Sequence, residues 1–302
     1  KLYPKDFKCI NFTKTYFKNK KKLDLFVSKC DVIIHLAGIN RHKNQDKIYN
    51  TNLLLTNKMI ESFDRLKKAP HILISSSLQE KDNNHYGKSK FESRELIGNW
   101  SKINNAIFNG LIIPNVFGPF CKPFYNSVVA TFCHQICNDI RPKIEVDKVV
   151  KLIYVDDLIN EIINKIKNKN YKKYDLIKYT KSIKFSDILK LIKNFHILYT
   201  EKNTIPKFKD DFELNLFNTY RSYLNLENYY PKSFIKNSDF RGDFSEIIRL
   251  GIGGQVSYST TLPGITRGNH FHTKKIERFS VIKGEALIQL RYIGNKKILN
   301  FF

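Results

Sequence analysis

Acidic residues are scarce in this sequence. Asp and Glu number 28 against 52 Lys and Arg, a formal charge of +24. A chain this basic invites a polyanion-binding reading. The basic residues are scattered, however, with only short clusters such as Lys18–Lys22 and Lys165–Lys173. No helix-turn-helix, zinc-finger or RNA-binding signature accompanies them. Lys far outnumbers Arg, and Asn, Ile, Phe and Tyr are abundant, the profile that an AT-rich genome imposes without selection for nucleic acid. The expectation is no nucleic-acid partner, with the positive charge helping to recruit an anionic substrate. Long apolar runs are also missing. The stretches around Val32–Ile39 and Ala106–Gly118 are broken by polar residues or proline and fall short of the ~20 apolar residues of a membrane span. No secretory signal pattern opens the chain. CxxC pairs are absent: the five cysteines stand at 9, 30, 121, 133 and 137. That odd, scattered set suits a reducing cytoplasm rather than a disulfide framework. What is present, 302 residues of which 42% are hydrophobic, can bury a sizeable core, which excludes a disordered or collagen-like chain. The length points to two domains or one large one.

Short apolar runs alternate with longer helix-like stretches as far as about residue 200. Phe7–Phe12 reads as a strand, Lys21–Lys29 as a helix, and Asp31–Gly38 as a buried strand entering a loop. Asn52–Lys67 has helical periodicity, Pro70–Ser75 is a second buried strand, Lys88–Trp100 a helix and Ala106–Ile113 a strand. Continuous apolar strands alternating with helices predict a parallel sheet covered on both faces. After about residue 235 the texture changes to short alternating segments, QVSYSTT, ERFSVIKG and EALIQLRYI, separated by Gly, Ser and Thr, which predicts antiparallel β structure. Asn225–Asn237 is the expected junction. The fold class is thus α/β, a Rossmann-type doubly wound parallel sheet over residues 1–228, followed by an all-β domain over 232–302.

Tyr86 and Lys90 form a YxxxK pair in YGKSK, and at i and i+4 on a helix they share one face. An ammonium beside a phenol favours the phenolate, so Lys90 is expected to lower the Tyr86 pKa and fit it for proton transfer. The spacing recurs at Tyr16/Lys20, Tyr174/Lys178 and Tyr292/Lys296, and context separates Tyr86 from these. Upstream, HILISSS is a strand ending in Ser75, Ser76 and Ser77, which places hydroxyls where parallel sheets build ligand sites. Further upstream, His35–Gly38 ends another strand in a small-residue loop that a cofactor can approach. Pro114–Gly118 follows the next strand. Tyr154–Asp157 opens a later helix, where capping is one role for Asp156 and no more favoured than any other.

These pieces, in this order, resemble an extended short-chain dehydrogenase/reductase of the nucleotide-sugar epimerase/dehydratase type over roughly Phe7–Thr200. The resemblance implies a nicotinamide cofactor, Tyr86 as general acid/base, Lys90 on the ribose, and Ser77 on the substrate carbonyl, with Ser76 as the alternative. Ala37 and Gly38 would line the cofactor. Thr13-Lys14 ends the first expected strand with no acidic residue; a basic Lys14 tolerates a 2′-phosphate, which tilts the cofactor towards NADPH, with NAD still open. No G-x-x-G-x-x-G phosphate loop occurs before Asp31.

The run Pro263–Gly284 reads G-x5-H-x-H-x4-E-x6-G, with Gly264, His270, His272, Glu277 and Gly284. On a strand, His270 and His272 share a face, and a turn would bring Glu277 back beside them. Two imidazoles and a carboxylate suit zinc or another divalent metal. The five positions match the first cupin motif, and a jelly-roll domain is expected, with or without an ion. A second cupin motif does not follow, so the chain is expected to be a piece truncated at both ends and nearly inactive as it stands.

Taken together, HLAGINR (35–41), SSSLQ (75–79), YGKSK (86–90), residues 115–136, YVDDLI (154–159), TYRSYL (219–224), DFRGDF (239–244) and residues 254–272 resemble the CapF family of capsular polysaccharide biosynthesis proteins over almost the whole chain. What this implies is a bifunctional UDP-sugar enzyme. The cupin epimerises C3 of a UDP-2-acetamido-2,6-dideoxy-4-hexulose, and the reductase delivers hydride from NADPH to C4, on the route to UDP-N-acetyl-L-fucosamine. Asn115, Asn126 and Arg41 are candidate substrate contacts, Lys274 and Lys275 are open as cupin bases, and a homodimer is implied. The rival reading is a redox-neutral nucleotide-sugar epimerase or dehydratase with an appended sugar-binding cupin.

Overall fold

The computed structural model of the chain describes residues 7–273 and 276–302. Its first compact unit runs to Phe234 and includes Glu246–Ser257. Four strands build the main sheet in the order β1 (Val32–His35), β2 (His71–Ser77), β3 (Phe108–Ile113) and β6 (Lys172–Leu176). All neighbours run parallel, with Ile74 opposite Gly110 and Ser77 opposite Ile113. β3 is buried at every position, as expected of a strand covered on both faces.

Helices pack on each side because β2 alternates. Ile72 and Ile74 enter one core with Phe63 of α2 (Gln45–Leu66), Ile97 of α3 (His85–Ile103) and Phe108. Leu73 enters another with Leu111, Ile153 and Leu158, the last from α5 (Val155–Asn168). The helix starts are set by side chains that accept otherwise unpaired amides. Asn44 caps α2 and Asn84 caps α3, the latter accepting from the Gly87 amide at 2.7 Å. A third core gathers Phe117, Phe132, Phe195, Phe212, Phe217 and Tyr220. It lies under β4 (Asn115–Phe117), α4 (Val128–Cys137), β5 (Val149–Tyr154), β7 (Lys181–Lys184), α6 (Phe185–Phe195) and α7 (Asp211–Arg221).

Two expectations are corrected, and the role left open for Asp156 is answered. Phe7–Phe12 is not a strand. A strand exists through ladder pairing, and no strand among the described residues pairs with the outer edge of β1. Asp156 does not cap α5; Tyr154 holds the cap position and Asp156 lies in the first turn, where its charge meets the helix dipole. In the second unit, Ile235–Ser245 with Tyr258–Phe302, the residues of ERFSVIKG are not in a strand, and neither are His270 and His272. Alternation prepares a strand, but without a neighbour in register it forms no ladder. The β texture is realised in β9 (Lys236–Asp239), which pairs antiparallel with β10 (Gly242–Leu250), and in the pair β12 (Ile288–Leu290) and β13 (Leu299–Phe301). QVSYS forms β11 (Gln255–Ser259). Among the described residues no helix is long and apolar enough to cross a membrane.

Phe63 is fully buried and its ring lies 4.9 Å from that of Trp100, joining α2 to α3. Phe63→Ala is expected to cost about 3–5 kcal/mol, read as a lower midpoint in chemical denaturation with the slope unchanged.

Candidate active site

β1, β2 and β3 end side by side, and the site is built at their carboxyl ends. α3 begins over them, with Tyr86 in its first turn and Lys90 one turn on. The Lys90 ammonium is 5.9 Å from the centre of the Tyr86 ring. It donates to the Ser75 carbonyl at 2.9 Å and lies 3.4 Å from the Ser75 hydroxyl. Lys90 is buried, and loss of water pulls its pKa down to about 8, opposed by the Glu80 carboxylate.

Tyr86 departs from expectation. Its pKa is raised, first by burial and then by Tyr125. Burial thus keeps the phenol protonated.

The serines divide by the pleat. Ser75 and Ser77 share a face of β2 and Ser76 takes the other. Ser76 is buried and its hydroxyl donates to Glu80. Ser77 is half-buried, and its hydroxyl accepts from the Gln79 amide at 3.2 Å, starting the short turn 78–81. α3 approaches this turn closely at Gly87, where a Cβ would fall 2.0 Å from the Gln79 carbonyl oxygen.

Asn52, which the sequence reading missed, joins the loop after β1 to α3. Its side chain accepts from the Ile39 amide at 2.7 Å, donates to the Ile39 carbonyl at 3.0 Å, and donates to Ser89 at 2.9 Å. A Cβ on Gly38 would meet Asn52 Oδ1 at 3.0 Å and the Lys90 ammonium at 3.6 Å. Gly38 is thus a gap in front of both groups, with Ala37 half-buried beside it. The neighbouring Asn40 has a buried side-chain oxygen without a partner. The gap in front of Gly38, with the Lys90 ammonium and the Asn52 amide oxygen at its edge, is a place where the ribose hydroxyls of a nicotinamide cofactor fit.

Arg41 reaches the Phe124 carbonyl at 3.3 Å and so joins the loop that carries Asn126. Asn126 and Asn115 are exposed, Asn115 at the start of β4. Lys14 is exposed on the short helix Lys14–Lys18. In the second unit, the ligand atoms of His270, His272 and Glu277 lie within 4.8 Å of one another. The imidazole Nε2 atoms are 3.0 Å apart, and His272 Nε2 is 3.3 Å from a Glu277 oxygen. Ligand bonds of about 2.0–2.2 Å in a tetrahedron give edges of about 3.3–3.6 Å, which the His272–Glu277 pair meets, and two imidazoles with a carboxylate are a donor set that suits zinc. Lys274 and Lys275 lie outside the described residues.

A parallel sheet with a Tyr–Lys helix over its carboxyl ends defines a class, and comparison with known proteins agrees. The profile described as "NAD dependent epimerase/dehydratase family" matches residues 3–176, and "Polysaccharide biosynthesis C-terminal domain" matches residues 237–302. The chain belongs to the NAD dependent epimerase/dehydratase family, as a CapF-like member. It is 32% identical over 273 residues to the UDP-2-acetamido-2,6-beta-L-arabino-hexul-4-ose reductase of Pseudomonas aeruginosa, covering 88% of this chain and 72% of that protein. The crystal structure of the capsular polysaccharide assembling protein CapF from Staphylococcus aureus superposes with a TM-score of 0.81 at 32% identity, covering 93% of this chain and 76% of that one. The UDP-glucose 4-epimerase of Thermotoga maritima, at 16% identity and a TM-score of 0.58, covers 72% of this chain and 88% of its own and shares the fold.

Asn52→Ala removes both bonds to Ile39. Hydrogen exchange at the Ile39 amide is expected to quicken about tenfold or more, while the amides of β2 keep their protection.

Proposed function

We propose that the chain is a nucleotide-sugar oxidoreductase of capsular polysaccharide biosynthesis, working as a homodimer in the cytoplasm. Its first unit reduces the C4 ketone of a UDP-2-acetamido-2,6-dideoxy-4-hexulose with NADPH, and its second unit inverts C3 of the same sugar, on the route to UDP-N-acetyl-L-fucosamine. The observation that carries the reading is the placement of Tyr86 and Lys90 on one face of α3 above the Gly38 loop. The identity to the Pseudomonas aeruginosa reductase and to CapF supports the choice of substrate.

Bound NADPH supplies the hydride. The protein supplies the rest. Ser77 donates to the C4 oxygen and holds it near the Tyr86 hydroxyl. As hydride reaches C4 the oxygen gains a negative charge, and the Tyr86 O–H bond breaks to protonate it. A phenol kept protonated by burial is suited to giving a proton to a more basic alkoxide. Lys90, with Ala37 and Gly38, would hold the cofactor ribose, and Lys14 would meet its 2′-phosphate. Arg41 and Asn126 hold the substrate diphosphate, with Asn115 nearer the sugar.

Inversion at C3 uses the acidity conferred by the neighbouring ketone: a base removes the C3 proton and the proton returns on the other face. His270, His272 and Glu277 would hold zinc or another divalent ion, which when bound would polarise the sugar oxygens.

The test supplies UDP-4-keto sugar and NADPH in deuterated water. This chain covers 72% of the Pseudomonas aeruginosa reductase, so the assay uses both the 302-residue chain and one extended to that relative's full length. The shorter chain is expected to turn over little. The longer is expected to oxidise NADPH and to place deuterium at C3. In it, Tyr86→Phe is expected to slow NADPH oxidation by about 10²–10⁴-fold and spare C3 exchange; His270→Ala is expected to do the reverse. Oxidation should decline as pH rises through about 8, where Lys90 loses its charge. C3 exchange without net NADPH consumption would favour a redox-neutral epimerase, and neither signal would overturn the proposal.

A further inference from the structure

We propose that Glu80, clamped by Arg94, is a positioning residue for Lys90: its buried carboxylate is the counter-charge that keeps the ammonium in place at the carboxyl end of β2. This rests on reading Lys90 as the cofactor-side cation of the site.

The Glu80 and Arg94 side chains are only 6% and 5% exposed. Arg94 donates to both Glu80 oxygens at 2.8 Å, a bidentate pair. Its remaining nitrogen donates to Glu95 at 2.8 Å and to the Lys173 carbonyl at 3.1 Å. The rings of Phe91 and Tyr174 lie 5.4 and 5.3 Å from the guanidinium carbon. A buried ion pair seldom stabilises a fold more than apolar side chains of the same shape would. A pair held this firmly therefore invites a reason other than stability.

The reason lies in what stands next to it. Ser75 accepts the Lys90 ammonium on its carbonyl, and the adjacent Ser76 donates its hydroxyl to Glu80. The pleat turns the Ser76 hydroxyl to the face opposite Ser75, and it is α3 that draws the anion towards the cation: Lys90 and Arg94, the partner of Glu80, stand at i and i+4 on one face of that helix. The other titratable groups facing Lys90 give it no negative charge. His35 of β1 is buried and neutral, its pKa pushed down to about 4 by burial and by Lys90. Tyr86, on the same helix, stays protonated, and the side chain that α2 sends, Asn52, is uncharged. Among the described residues, Glu80 is the carboxylate whose charge favours the ammonium. Arg94 limits that charge by pairing with it.

Competitive trace acetylation of the 302-residue chain against pH, read at Lys90 by mass spectrometry, follows the ammonium without any turnover. Glu80→Gln is expected to move the Lys90 midpoint down by roughly one pH unit, because an attractive charge is lost. Arg94→Met is expected to move it up, because the Glu80 charge is no longer offset. A residue pair that only braced the fold would shift both variants the same way, or neither, and either result overturns the proposal. Should these variants fail to fold, Arg94→Lys keeps the pair and is expected to leave the midpoint within a few tenths of a unit of the parent; a fall as large as that of a lost charge overturns it as well. The readout needs no substrate, so it stands or falls apart from the reductase assay.

Discussion

Placing the ammonium of Lys90 away from water is the constraint around which the first unit is arranged. A buried ammonium must be hydrogen-bonded and balanced, or it gives up its proton. The carboxyl end of β2 meets the first need through Ser75. Glu80, reached through Ser76 and the turn that follows, bears on the second. The close approach of α3 to that turn is possible because residue 87 is glycine. The loop after β1 then closes over the ammonium from the other side, fixed through Asn52 rather than through any bond to Lys90 itself.

What could be read in advance was whatever is carried by neighbours in the chain. YGKSK states its own i, i+4 geometry, and HILISSS its own burial and its terminal hydroxyls. Asn52 and the Glu80–Arg94 pair were not legible, because their partners come from other elements. Asn52 sits inside an ordinary helical repeat, and only the fold brings Ile39 and Ser89 to it. Arg94 is one arginine among many cations until its burial is known. The failures at Phe7–Phe12 and at ERFSVIKG have one cause: a strand is a property of a pair, and single-chain alternation is silent about whether a partner arrives.

The two candidate centres differ in kind. Tyr86 and Lys90 lie in a packed site where burial sets the proton affinities of both. His270, His272 and Glu277 are exposed and held in a segment without regular structure, yet their donor atoms converge within 4.8 Å. Imidazole and carboxylate groups at such separations in water gain little from one another as neutral or singly charged partners. A shared divalent ion would give the three a common reason to meet, which is why the donor set, rather than the surrounding backbone, carries the metal proposal.

The shift of Tyr86 upwards, against the expectation that Lys90 would pull it down, bears on the direction of the chemistry. A phenol with a lowered pKa serves both ways, taking a proton from an alcohol as readily as returning one to an alkoxide. A phenol held protonated favours giving, since the oxygen generated by hydride addition is far more basic than either phenol or water. Lys90 donates to the Ser75 carbonyl, and what raises the Tyr86 pKa is burial and then Tyr125. On the proposed role of Tyr86, a site arranged in this way is better matched to reducing a ketone than to oxidising an alcohol, and the match comes from burial of the acid.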